Sequence, residues 1–245
     1  MNDESGLYSR IGDMGHRREA SRVESFSDAV FAFAITLLVV SLEVPKSFDE
    51  LTLAMRGFLT FAVCFALLFQ VWWRHYKFFR TYDLEDSYIV TLTAMLLFVV
   101  LFYVYPLKFL WSVVLAPIEG RRGDAIITNA QVPALFGIYG AGVIAVFSIL
   151  ALMHRHAYAK RDQLGLSAEE ALEARVRVYS NLGVASVGAL SILVAFVAGR
   201  LAPRLVGLGG FVYGLIGVVE WQIGAYHGRQ RRNIQRISKA STAHV

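Results

Sequence analysis

The sequence predicts an all-α polytopic membrane protein with six transmembrane helices, and three observations carry that prediction. Of its 245 residues, 56% are hydrophobic and only 18% are charged, and the mean hydropathy is +0.50, a balance foreign to soluble domains. Apolar windows about as long as a bilayer core, roughly 20 residues each, recur along the chain. The 24 Lys and Arg residues are also unevenly spread. All but seven fall before the first window, after the second, after the fourth or after the sixth. The positive-inside rule then puts both termini in the cytoplasm, and the expected location is the cell (inner) membrane.

Taken in order, residues 1–21 are polar and of mixed charge, which predicts a disordered cytoplasmic tail. The first span covers Phe26–Val44, apolar from Ala29 to Val40 except for Thr36. Residues 44–50 read as a short turn, with Glu43 at the outer mouth. The second span, Thr52–Trp73, ends in Trp and Tyr beside basic residues, an interface anchor. The third is Tyr88–Trp111, which Pro106 should bend or end. The fourth is Val132–Met153, where Gly137, Gly140 and Gly142 allow close helix contact. Ser167 and Glu170 form a capping box ahead of an amphipathic helix. That helix either lies on the membrane surface or extends the fifth span, Tyr179–Ala198. A turn at residues 199–204 leads to the sixth span, Leu205–Tyr226, with Gly210/Gly214 and Gly224/Gly228 at close-packing spacing. A basic cytoplasmic tail, 229–245, follows the 22–228 membrane domain.

The chemistry-bearing residues gather at the first two spans. At 100° per residue, Arg22, Ser25, Phe26, Ala29, Phe33, Thr36, Leu37 and Val40 share one face of the first helix. Asp28 lies about 120° from Arg22 on that wheel, so each needs a partner elsewhere. Ionisable groups near bilayer depth are costly and are paired or line water. Trp72 and His75 end the second span on the same side as Arg22, Ser25, Ser27 and Asp28. The pattern fits a structural hydrogen-bond network pinning the two helices, or a direct part in titration or gating.

Arg22-x-x-x-Phe26-Ser27-Asp28, continued by the Ala-Ile-Thr-Leu-Leu core of the apolar run, resembles the first-helix signature of the transmembrane protein 175 family of potassium channels. Trp72-x-x-His75-x-x-x-Phe79 resembles that family's second-helix motif, with Tyr76 where a second histidine stands. Residues 91–95 read Thr-Leu-Thr-Ala-Met where the family often carries an asparagine. The resemblance implies a homotetramer in which the first helix of each subunit lines a central pore. It makes Ala29, Phe33, Thr36, Leu37 and Val40 pore-lining, with Phe33 at the constriction where Ile or Leu is usual and Thr36 supplying the hydroxyl tied to potassium preference. Arg22, Ser25, Phe26, Ser27, Asp28, Trp72 and His75 would form the motif and interhelical network supporting that helix. On pattern alone the same stripe also suits plain helix packing.

Other chemistries find little footing. No zinc-protease, nucleophile-elbow, P-loop or dinucleotide motif is present, so no enzyme is expected. His154 and His156, two apart, face away from each other and read as a solvated loop end rather than a metal site. The single Cys64 excludes an internal disulfide. A net charge of +5 is explained by topology rather than nucleic acid. No carbonyl-filter loop is present, so a potassium-preferring channel would rely on an apolar constriction that gates by dewetting. The expected partners are a second copy of the chain, the lipid bilayer and potassium ions as permeant, with no cofactor and no resident metal. The rival reading is a proton-coupled secondary transporter with Asp28 and His75 as its relay.

Overall fold

The computed structural model describes residues 22–40, 45–116, 118–120, 128, 130–201, 210 and 212–242. The expected tail 1–21, Glu43 and residues 205–209 at the start of the sixth span lie outside them. Among the described residues there are seven α-helices, here numbered α1 (Arg22–Val40), α2 (Phe48–Arg56), α3 (Phe58–Tyr82), α4 (Ser87–Leu115), α5 (Val132–Ala159), α6 (Ala168–Leu201) and α7 (Leu215–Thr242). A 3-10 turn, Val212–Gly214, precedes α7. Among the described residues four segments are long and apolar enough to cross a membrane: α3, α4, α5 and residues 168–200 of α6.

Several boundaries differ from expectation, each for a local reason. The second span does not begin at Thr52, and residues 48–50 are not turn. Ser47 caps α2 by accepting from the Glu50 amide, while Glu50 Oε2 accepts from the Lys46 amide at 2.6 Å. Gly57 then separates α2 from α3, its amide donating to Ala54 and Met55. Pro106 does not end the third span, since α4 continues to Leu115. The Tyr139 hydroxyl of α5 donates to the Pro106 carbonyl at 2.9 Å, tying the proline turn to its neighbour. Pro133 in the first turn of α5 suits a helix start. The fourth span runs on to Ala159, past the expected Met153. The capping box forms, with the Ser167 amide donating to Glu170 at 2.8 Å and the Glu170 amide to Ser167 Oγ at 3.3 Å. Its helix is continuous with the fifth span, so of the two options the extension holds.

The core is built where α1, α3, α4 and α5 meet, around Phe31, Leu38, Phe78, Phe79, Leu96 and Leu150. Helices α5 and α6 pack most closely. A Cβ on Gly140 would stand 2.4 Å from Ile192 Cγ1 and 2.8 Å from the Gly188 carbonyl, so only glycine fits that crossing. Gly142 is likewise filled by the Tyr103 ring. The other expected motifs are not used this way: a Cβ at Gly137, Gly214, Gly224 or Gly228 would meet nothing within 4 Å. Helix α7 instead meets α6 where Val219 sits over Gly183.

Candidate functional site

Helix α1 has two unlike faces. Phe31, Ala34 and Leu38 are buried, Leu38 at 1% exposure, and dock on α3 and α4. Ala29, Phe33 and Thr36 are exposed, Phe33 at 57%. Leu37 is half-buried at the border, and Val40 is the last helical residue. The protomer covers only the first of these faces. The Thr36 hydroxyl donates to the Phe33 carbonyl at 2.7 Å, which spends its proton and leaves its oxygen lone pairs for another partner.

Below this face, Trp72 Nε1 of α3 donates to Asp28 Oδ1 at 2.7 Å, joining α1 to α3. Ser27 is buried and donates to the Val23 carbonyl at 2.6 Å. His75 is 1% exposed, its ring centroid 5.8 Å from Phe31 and 4.9 Å from Phe79. Its Nε2 has no hydrogen-bond partner among the described residues. The structure therefore brings Asp28 and Trp72 together, sets His75 in an aromatic pocket, and leaves Arg22, Ser25 and Phe26 exposed, with Phe26 at 65%. At the other end of α1 the Lys108 ammonium of α4 donates to the Leu38 carbonyl at 3.2 Å, a cation at a helix C-terminus.

Sequence reasoning reads Glu220 as a buried polar contact of the sixth span without its partners, and it misses a second polar cluster. Arg74 of α3 pairs with Glu220 of α7 at 2.9 Å and donates to Asn181 Oδ1 of α6 at 3.1 Å, and the Ser180 hydroxyl donates to Glu220 at 2.8 Å. The only signal was a charge inside an apolar window, which names a residue in need of a partner but not the partner. The second cluster corrects the reading of His154 and His156 as a solvated loop end. His154 is buried and donates from Nδ1 to the Leu150 carbonyl at 2.8 Å. His156 Nε2 and Lys160 Nζ donate to Asp86 Oδ2 at 2.6 and 2.7 Å, while Asp86 also caps α4 through the Ile89 amide at 3.0 Å. Burial alone would raise the Asp86 carboxyl, but those hydrogen bonds outweigh it and hold the group well below the usual carboxylate range. Among the described residues no three His, Cys, Asp or Glu side chains are grouped to hold a metal ion.

A potassium channel of Marivirga tractuosa is 37% identical over 206 residues, which are 80% of this chain and 83% of that protein. The chain belongs to the TMEM175 family. Residues 22–103, from α1 through most of α4, match the model of the family described as endosomal/lysosomal potassium channel TMEM175. A potassium channel of Chamaesiphon minutus is 28% identical over 154 residues, 60% of this chain and 69% of that one. Among solved structures, a variant of the potassium channel MtTMEM175 in complex with a nanobody–MBP fusion superposes with a TM-score of 0.76 and 34% identity, covering 87% of this chain and 96% of that one. The TMEM175 homologue from Chamaesiphon minutus, at 22% identity, shares the fold with a TM-score of 0.50 over 82% of this chain and 96% of that one. The chain is thus an all-helical, multi-pass membrane protein of a potassium-channel family rather than an enzyme family.

Proposed function

We propose that the chain is one subunit of a homotetrameric, potassium-preferring channel whose pore is walled by four copies of α1. The observation that carries this is the exposed Ala29–Phe33–Thr36 face, apolar and uncovered, on a helix whose opposite face is fully engaged. One helix cannot enclose a pore, but a closed ring of identical faces can. In this reading six spans are supplied by α1, by α3 to α6 and by the segment ending in α7. The 19 residues of α1 reach about 28 Å at about 1.5 Å per residue. Both termini lie in the cytoplasm, the 22–228 domain sits in the inner membrane, and tails 1–21 and 229–245 flank it. Phe33 forms an apolar ring that resists wetting when closed. Potassium passes more readily than sodium because it sheds hydration water at lower cost, and the Thr36 oxygen, its proton already donated inward, replaces part of that water.

The transporter reading loses ground for a specific reason. Asp28 bonds to Trp72, and the other member of the supposed relay, His75, has its Nε2 buried without a partner among the described residues. Single-channel recording from the purified chain in bilayers tests the proposal. Unitary potassium steps with a reversal potential favouring potassium over sodium are expected, whereas saturable flux without steps would return the carrier reading.

A further inference from the structure

Helix α3 is gripped from two sides. Two residues apart, Trp72 and Arg74 point about 160° away from each other on the helix. Trp72 reaches Asp28 of α1 at 2.7 Å. Arg74 reaches Glu220 of α7 at 2.9 Å and Asn181 of α6 at 3.1 Å, and its guanidinium carbon stands 5.3 Å from the centre of the Phe147 ring. The Arg74 side chain is 14% exposed and that of Glu220 36%. Ser180 and Asn181, which complete the cluster, are both buried. An ion pair inside an apolar bundle gains little stability against its desolvation cost, and well-packed hydrophobic residues would serve at least as well. The pair therefore serves position more than strength.

Beside the pair lies a cavity of about 400 Å³, lined by Val71, Arg74, Tyr139, Phe147, Val184 and Ile216 among others. The walls are apolar, and Arg74 borders it from α3. Apolar walls favour keeping the guanidinium on Glu220, Asn181 and the face of Phe147. Glu220 is also held by the Ser180 hydroxyl of α6, and Val219 of α7 sits over Gly183 of α6, so the ion pair ties α3 to a packed α6–α7 unit.

We propose that Arg74 and Glu220 form a latch through which α7 sets the seating of α1. The links run from Glu220 to Arg74, along the rigid turn of α3 to Trp72, and from Trp72 to Asp28 at the base of the exposed face. Both residues are positioning residues: neither lies on α1, and each acts through α3. The consequence for conduction rests on the channel reading above, since only there does the seating of α1 govern the pore.

The test uses the full-length oligomer, comparing wild type with Glu220→Gln, Glu220→Asp and the exchanged pair Arg74→Glu with Glu220→Arg. Two readouts are taken: open probability in bilayers, and hydrogen–deuterium exchange of peptides from α1. Glu220→Gln should raise exchange in α1, which it does not touch, and change open probability severalfold. The exchanged pair should move both back toward wild type, and Glu220→Asp should fall between. If Glu220→Gln lowers thermal stability yet leaves α1 exchange and open probability at wild-type values, the pair is only structural and the latch is wrong. Should Glu220→Gln fail to fold, Glu220→Asp decides by the same two readouts. Absence of unitary current from the wild type would sink the channel reading and not the latch, which α1 exchange would then decide alone.

Discussion

Thr36 meets the surface of its helix with its proton committed to the Phe33 carbonyl, so what it offers outward is an acceptor. Thr36→Val keeps the shape and removes that oxygen. Its expected effect is a lower potassium-over-sodium preference with assembly intact, measured from reversal potentials in mixed ions; an unchanged ratio would put Thr36 against lipid or a neighbouring helix. Phe33→Asn should raise resting current and weaken selectivity, because amides hold water where the rings excluded it. Leu38→Asn is a different experiment, since Leu38 is buried. It leaves an amide in the core at a cost of about 1–3 kcal/mol and should lower folded yield without opening the pore. If Leu38→Asn leaked and Phe33→Asn did not, the wrong face of α1 has been assigned to the axis. At this scale the wheel of α1 was legible because helical periodicity alone separates Phe33 from Leu38. The Arg74–Glu220 pair was not, because its partners are 146 positions apart and no local pattern encodes such a meeting.

Helices are placed by their contacts more than by their own propensities. Gly140→Ala should force α5 and α6 apart, since the new methyl would meet the Gly188 carbonyl as well as Ile192. A loss of roughly 1–3 kcal/mol is expected, read as a lower thermal midpoint in detergent. Gly224→Ala, with nothing in reach, should leave that midpoint unchanged or slightly raised. Asp86 makes a second prediction. Its folded carboxyl titrates below its unfolded value, so its contribution is complete above the ordinary carboxylate range and fades as pH falls through it. Wild type should lose stability on acidification below about pH 4. Asp86→Asn should start lower at neutral pH and lose less, which thermal melts across that range would show. The existence of these spans was legible in hydropathy, but their ends were not. Helix α5 persists beyond Met153, where His156 and Lys160 find Asp86, and α4 passes Pro106, whose carbonyl accepts from a tyrosine of another helix. Gly57 divides a stretch that composition alone joins to the following span.

For the whole molecule, the bond from Trp72 to Asp28 joins the buried face of α1 in holding that helix to its protomer, and in the proposed oligomer it bears on how protomers would meet. Asp28→Asn weakens that bond, at about 1–3 kcal/mol, and should reduce the yield of intact oligomer in detergent chromatography more than the conductance of what assembles. A stable oligomer with altered pH dependence would revive the relay. The 34 residues of α6 make a rod about 51 Å long against a hydrocarbon core of roughly 30 Å. About 20 Å of it must therefore stand clear of the membrane, and that end carries Glu169, Glu170, Glu173, Arg175 and Arg177. Its crossing at Gly188 on Gly140 lies about 30 Å from the N-terminal end. That end is packed rather than free, since Ala174 and Val176 are buried in the protomer. Ser180 and Asn181 lie between that end and the crossing, so whatever meets the charged end in the aqueous phase meets the same rod that carries the two side chains holding Arg74 and Glu220.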